Sequence, residues 1–137
     1  GLLCHLLGLD ESALFNDRNK LGPVLENFVV MELVKQATWS ECQPRLYHYR
    51  TQTGREVDLV LEIPNGQLVG IEAKSASTVN RDEFKGLRDL QDSAQDRFLR
   101  GFVLYTGDQS LAFDTDLWTV PIPALWQWQS QSLTDSD

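Results

Sequence analysis

Two acidic residues and a lysine lie close together in a part of the sequence where apolar and polar residues alternate. Asp58 belongs to one alternating stretch, and Glu72 and Lys74 belong to the next. Each stretch predicts a β-strand, and Pro64-Asn65-Gly66 between them is typical of a hairpin turn. Because successive side chains of a strand point to opposite faces, Glu72 and Lys74 are expected to share one face.

The length of the hairpin loop decides which residues face one another. A two-residue Asn65-Gly66 turn would place Leu59 opposite Glu72, which mixes apolar and polar side chains on one face. A three-residue loop, a type I turn followed by a left-handed glycine, keeps the apolar face continuous. It pairs Val57 with Ala73, Leu59 with Ile71, and Leu61 with Val69. We therefore predict the three-residue loop, which sets Asp58 directly opposite Glu72.

Two carboxylates that face one another across a strand pair repel each other, and a cation between them would relieve the repulsion. Mg²⁺ takes oxygen ligands and usually keeps several waters, so two carboxylates and a substrate phosphate make a sufficient site. Lys74, on the same face, would polarise a water or stabilise charge on the phosphate. The pattern predicts equally well a solvated hairpin face that carries ordinary surface charges.

The predicted elements around the hairpin are a helix and a strand before it, and a helix and further strands after it. Gly22-Pro23 is predicted to begin the first helix, in which Glu26 heads an apolar stripe of Val29, Val30 and Leu33 and points toward the hairpin acids. The other predicted elements are a strand at Leu46–Arg50, a turn at Thr51–Gly54, a helix from Asn80 to about Ala94, a strand within Gly101–Gly107 and one or two edge strands within Leu111–Val120. Their order predicts an α/β fold with a mixed sheet.

Several basic residues are candidate contacts for a substrate phosphate. Arg81, Lys85 and Arg88 are spaced to form a stripe on the second helix, although neighbouring aspartates favour ion pairs on a solvated face. Arg55 precedes the acidic strand, where it would meet a phosphate or pair with a nearby acid. His48 lies between two tyrosines with no identifiable catalytic partner, which favours structural packing.

The composition restricts the classes of function. The 137 residues suit one domain with one hydrophobic core, and the formal net charge of −8 disfavours autonomous, tight binding to nucleic acid. Cys4 and Cys42 lack the spacing of zinc ligands, and a reduced cytoplasmic setting is expected. No apolar run is long enough to span a membrane. We assign residues 1–128 to one domain and residues 129–137 to a polar tail. Within the domain we predict a short helix at Gly1–Leu9, an irregular or weakly helical segment at Asp10–Lys20, and a closing helical turn at Pro123–Trp128.

The ordered motifs resemble the core of the PD-(D/E)XK superfamily, which includes restriction endonucleases, Holliday-junction resolvases and RecB-type nucleases. The resemblance lies in Glu56-Val57-Asp58 and Ile71-Glu72-Ala73-Lys74, with the glutamate-bearing helix start Leu21–Phe28 before them. Residues 1–128 resemble more specifically a C-terminal domain of unknown function that follows an AAA+ ATPase module in prokaryotes. Val57 stands where the motif's name has proline, and the second helix lacks the Gln-xxx-Tyr pattern of RecB-type nucleases.

The resemblance implies a restriction-endonuclease-like fold with an α-β-β-β-α-β core, whose mixed central sheet is flanked by helices. It implies Mg²⁺ (or Mn²⁺) held by Glu26, Asp58 and Glu72, with Asp58, Glu72 and Lys74 catalytic in the hydrolysis of DNA phosphodiesters. It also implies an upstream ATPase domain, to which residues 1–20 would link. A different class of function stays open, namely a catalytically silent interaction module that serves the ATPase or a partner protein.

Overall fold

The structure is a computed structural model that describes the backbone of residues 18–124 and the side chains of residues 22–124. The predicted helix at Gly1–Leu9, most of the linking segment 1–20 and the polar tail 129–137 lie outside these residues. The predicted closing turn at Pro123–Trp128 is described only as far as Ala124. Within residues 18–124, no helix is both long and apolar enough to cross a membrane.

A six-stranded mixed sheet forms the centre of the described chain. In chain order the elements are α1 (Arg18–Trp39), β1 (Arg45–Arg50), β2 (Glu56–Glu62), β3 (Leu68–Ala73), α2 (Lys85–Ala94), β4 (Phe98–Tyr105), β5 (Leu111–Asp114) and β6 (Leu117–Pro121). Their order in the sheet is β1-β2-β3-β4-β6-β5. The pairs β3–β4 and β4–β6 are parallel and the other three pairs are antiparallel. The α/β prediction with a mixed sheet is confirmed.

The two helices pack on opposite faces of this sheet. Neighbouring residues of β4 show the division, because Val103 packs with Leu87 of α2 whereas Leu104 packs with Val29 of α1. Gly70 of β3 lies directly under α2, where an added Cβ would be 2.6 Å from Leu87 Cδ2. The absence of a side chain at this position therefore lets α2 approach the sheet closely.

The first helix begins earlier than predicted. It starts at Arg18, so Arg18–Lys20 takes the helical one of the two predicted alternatives, and Pro23 lies inside the helix instead of in its first turn. Proline removes the hydrogen bond that its own nitrogen would donate to the residue four positions earlier, and near the helix start the later bonds remain intact. The proline signal therefore marked a position inside the helix and not its boundary.

The prediction of one or two edge strands within Leu111–Val120 is confirmed for one strand. β5 lies at an edge of the sheet, whereas β6 is an interior strand that pairs with β4 on one side and with β5 on the other. The burial of Leu117 agrees with this interior place.

The predicted start of the second helix is confirmed. Asn80 and Glu83 form a capping box on a 3-10 turn at Arg81–Phe84, which leads directly into α2.

The hairpin between β2 and β3 has the predicted loop and register. Ile63 and Gln67 close a three-residue loop, in which the N–H of Gly66 donates to the carbonyl of Ile63 at 2.8 Å. Gly66 has φ +88°, a left-handed conformation that favours glycine. The ladder pairs Leu59 with Ile71 and Leu61 with Val69, as predicted.

A bulge in β2 at Asp58 and Leu59 interrupts the pairing of β2 with β1. On β1, Tyr47 and Tyr49 are two positions apart, but their partners on β2 are Val60 and Val57, three positions apart. The extra residue reverses the alternation, so Val57 and Val60 both join the cluster under α2. The predicted face with Val57 beside Leu59 and Leu61 is therefore wrong, and so is the predicted pairing of Val57 with Ala73.

Candidate functional site

The candidate residues meet at the end of β3, where the ladder with β2 stops. Two backbone N–H groups at this edge bind side chains instead of a neighbouring strand. Asp58 Oδ2 accepts the N–H of Ala73 at 2.9 Å, and Glu26 Oε1 accepts the N–H of Ser75 at 3.1 Å. Carboxylates from β2 and α1 thus bind the two residues on either side of Lys74. The predicted approach of Glu26 toward this end of the hairpin is confirmed.

Glu72 is buried beside α2, with only 7% of the residue exposed. A Cβ added to Gly86 of α2 would lie 3.3 Å from Glu72 Oε1, so the carboxyl occupies the space that this glycine leaves. Burial and then the charge of Asp58 raise the pKa of Glu72 to about 8, two other glutamates act in the same direction, and Lys74 opposes them. At neutral pH the carboxyl is therefore mostly protonated when no cation is near.

Lys74 is held by the strand on the other side of β3. Its backbone N–H donates to the carbonyl of Leu104 at 2.7 Å, which extends the pairing with β4 beyond Ala73. The residue is partly buried, and its charge acts on Glu72. The positive charge of Lys74 therefore interacts with the acids at this end of β3.

The expectation that Asp58 and Glu72 share one face of the sheet is wrong. The bulge turns Asp58 toward α1, whereas Glu72 lies on the side of α2 beside Gly86. The two carboxyl groups influence one another around the end of the sheet, because Asp58 has the largest effect of any charge on the pKa of Glu72. In the described part of the chain, no three His, Cys, Asp or Glu side chains are grouped closely enough to hold a metal ion.

An open cleft of about 450 Å³ lies between α1 and the sheet beside this site. Glu26 and Asp58 line it together with Asn27 and His48. Sequence reasoning missed the last two residues as members of the site. Asn27 follows Glu26 directly, which is a usable signal, but the position of His48 depends on how β1 lies across α1. The position of His48 between two tyrosines favoured structural packing, but the structure shows that the residue is exposed.

The donor chemistry at the end of β3 fits a hard divalent cation, although the three acids do not surround one point. A carboxylate can accept about four hydrogen bonds, and Asp58 and Glu26 each show one to a backbone N–H. The pKa of Glu72 is raised first by burial and then by the negative charge of Asp58, and a bound cation would favour the ionised carboxylate against both effects. Mg²⁺ is usually bound by only one or two protein carboxylates, so Asp58 with Glu72 or Glu26 would be enough.

The basic residues that were candidate phosphate contacts are mostly paired with acids. Arg55 Nη1 lies 3.1 Å from both carboxylate oxygens of Asp89, and Lys85 Nζ lies 3.1 Å from Asp82. Arg88 contacts Asp114 at 3.9 Å and lies over the ring of Phe113. Arg81 is exposed and belongs to the 3-10 turn, so it is not part of a continuous stripe on α2. The ion-paired, solvated alternative describes Arg55, Lys85 and Arg88 best.

Comparison with known proteins gives the chain a family. Two uncharacterised proteins, one from Mycobacterium bovis and one from Mycobacterium tuberculosis, are each 33% identical over 123 residues, which cover 88% of this chain. The chain spans only 25% of the length of these relatives. No solved structure matches. Residues 21–125, which contain most of α1, the hairpin and α2, match the family described as Domain of unknown function (DUF4143), and the chain belongs to that family.

Proposed function

We propose that the protein is a Mg²⁺- or Mn²⁺-dependent nuclease that hydrolyses DNA phosphodiesters at the end of β3. One observation carries the proposal: acids from α1 and β2 bind the backbone on both sides of Lys74. Glu72 of β3 adds a third acid on the side of the sheet that faces α2. Acids that can hold a hard cation beside a lysine are the groups needed to stabilise a phosphate during hydrolysis.

The order of the elements supports a restriction-endonuclease-like fold as part of this proposal. From α1 through three strands and α2 to β4, the chain follows the α-β-β-β-α-β order that the PD-(D/E)XK resemblance implies. β5 and β6 then extend the sheet beyond β4. We also propose a cytoplasmic protein in which this domain follows an ATPase domain, as the resemblance implies. The relatives are about four times longer than the matched segment, which leaves room for further domains.

In the proposed reaction a water oxygen bonds to phosphorus, the bond from phosphorus to the leaving sugar oxygen breaks, and that oxygen takes up a proton. The bound Mg²⁺ would supply positive charge to the phosphate. Asp58 would hold the cation with Glu72 or Glu26, and Glu72 would release its proton as the cation binds. Lys74 would place its ammonium against the phosphate and stabilise the charge that develops there.

Cleavage assays on supercoiled plasmid and branched DNA test this proposal. With Mg²⁺ or Mn²⁺ the wild type is expected to nick DNA, and Lys74→Met is expected to lose roughly a hundredfold in rate. Lys35→Met, at an exposed position on α1, is the matched control and should retain the wild-type rate. No metal-dependent nicking, or equal rates for wild type and Lys74→Met, would contradict the nuclease proposal.

A catalytically silent interaction module is the second candidate, and a specific observation favours it. The carboxylates of Asp58 and Glu26 already serve the fold by binding backbone N–H groups that β2 leaves behind. Such a module would use this end of the sheet as a rigid support and bind the ATPase domain or a partner protein elsewhere. It predicts an intact fold and no specific effect of Mn²⁺ on stability or on DNA.

A further inference from the structure

The bulge in β2 brings His48 of β1 and Asp58 to the same side of the sheet. His48 stands opposite two residues of β2, Asp58 and Leu59, because the paired residues on either side of it have partners three positions apart. Leu59 packs in the cluster under α1, and Asp58 lines the cleft between α1 and the sheet. His48 lines the same cleft. The bulge therefore gives the acid an imidazole as its neighbour on the α1 side.

The strand order places His48 and Lys74 on opposite flanks of Asp58. β2, which carries Asp58, lies between β1 and β3 in the sheet. His48 belongs to β1, and Lys74 follows directly after the last residue of β3, Ala73, whose N–H donates to Asp58 Oδ2. Neighbouring strands are roughly 4.8 Å apart, so each of the two residues is about one strand spacing from the acid. A phosphate held at Asp58 would thus have a lysine on one flank and an imidazole on the other.

The imidazole of His48 suits the phosphate better than it suits the cation. Among the side chains of residues 22–124, His48, Asp58 and Glu26 do not form a group that could hold a metal ion together. Mg²⁺ takes oxygen ligands and usually keeps several waters, so it does not call for a nitrogen ligand here. A phosphate oxygen is a hydrogen-bond acceptor, and an imidazole carries at least one N–H donor in either protonation state. The donor on β1 therefore complements the substrate and not the ion.

We propose that His48 donates a hydrogen bond from its imidazole to a non-bridging oxygen of the substrate phosphate, on the flank opposite Lys74. The inference rests on the proposed function, because it takes that phosphodiester as the substrate. Negative charge on the phosphate oxygens is stabilised by this donor during hydrolysis, and no proton moves to or from His48 in this role. Loss of a hydrogen bond to a charged group is expected to lower kcat/KM about tenfold to a hundredfold.

Nuclear magnetic resonance can observe this contact without any cleavage. The chain has only two histidines, His5 and His48, so a His5→Gln protein gives imidazole signals from His48 alone. A thymidine dinucleotide added together with Mg²⁺ is expected to shift these signals, and Asp58→Asn is expected to abolish the shift. Mg²⁺ without the dinucleotide should leave the signals nearly unchanged. An equal shift with Mg²⁺ alone would overturn the proposal, because His48 would then respond to the ion and not to the phosphate.

Cleavage rates on supercoiled plasmid test the role of the donor. His48→Ala removes the N–H and should lose about tenfold to a hundredfold in kcat/KM, whereas His48→Gln keeps a side-chain N–H donor and should retain most of the activity. Tyr47→Ala, at an exposed neighbouring position on β1, is the matched control and should retain the wild-type rate. Circular dichroism checks that each variant is folded. Equal rates for His48→Ala and wild type, or equal losses in His48→Ala and His48→Gln, would overturn the hydrogen-bond role.

The two measurements distinguish failure of this inference from failure of the nuclease proposal. Metal-dependent nicking by a protein whose His48 signals do not respond to the dinucleotide would overturn the phosphate contact and leave the nuclease proposal standing. A shift of the His48 signals that requires both Mg²⁺ and the dinucleotide, in a protein that does not nick DNA, would support the contact and contradict the nuclease activity.

Discussion

Replacing Glu72 by glutamine is expected to stabilise the metal-free protein at neutral pH and to have little effect at acidic pH. Burial and the charge of Asp58 raise the pKa of Glu72 from an ordinary value of 4.5 to about 8. In the unfolded chain the group returns to its ordinary value, so folding takes up a proton between these two pH values. The contribution of the protonated Glu72 to stability is fully present below pH 4.5, declines as the pH rises, and is lost above about pH 8.

The size of the effect follows from the same two values. One unit of pKa corresponds to about 1.4 kcal/mol. The loss in the free energy of unfolding is therefore roughly 5 kcal/mol above pH 8 and roughly 3 kcal/mol at pH 7. Glutamine keeps the shape of the side chain without the charge. For a chain of this length, about 3 kcal/mol corresponds to a rise in Tm of about 10 °C.

Thermal unfolding followed by circular dichroism in EDTA, from pH 5 to pH 9, measures this effect. The difference in Tm between Glu72→Gln and wild type should grow steadily between pH 5 and pH 8 and then level off. Glu41→Gln, at an exposed position before β1, is the matched control and should follow the wild type. A constant difference between Glu72→Gln and wild type over the whole range would refute the reasoning, because it would show that Glu72 is ionised in the folded protein throughout.

Three further predictions concern neighbouring positions. Lys74→Met is expected to raise the pKa of Glu72 further, because Lys74 opposes the rise. In thermal melts at a series of pH values, the stability of this variant should then continue to fall up to a higher pH than that of the wild type. Asp58→Asn is expected to be at least as stable as wild type without metal and to lack the increase in Tm that Mn²⁺ gives the wild type at matched ionic strength; equal responses would make these acids ordinary surface charges. Gly86→Ala would place a Cβ 2.3 Å from the carbonyl oxygen of Glu56, so urea unfolding should show a loss of about 2 kcal/mol, whereas Asp92→Ala on the exposed side of α2 should change little.

The sequence predicted the hairpin well because two independent local signals agreed. One register was needed to keep Leu59 and Leu61 on a continuous apolar face with Ile71 and Val69, and a proline and a glycine in the loop allowed it. The capping box at Asn80 is another local signal, and it was confirmed. Such features depend on residues a few positions apart, so a single sequence contains all the information needed.

The failures came from interactions between distant parts of the chain. The bulge at Asp58 and Leu59 is hidden in the sequence because Val57 and Leu59 are both apolar, and each is buried, although on different faces. A strictly alternating strand therefore looked continuous and placed Asp58 on the wrong side. The exposure of His48 in the cleft depends on the crossing of β1 and α1, which no local pattern encodes.

Three consecutive backbone amides at the end of β3 are bound by three different parts of the chain. Asp58 of β2 accepts from Ala73, the carbonyl of Leu104 in β4 accepts from Lys74, and Glu26 of α1 accepts from Ser75. Hydrogen exchange at each amide therefore measures how often a different element separates from β3. Detachment of α1 alone would accelerate exchange at Ser75 and leave Lys74 protected. This tripeptide can thus report the order in which the protein opens around its proposed site of chemistry.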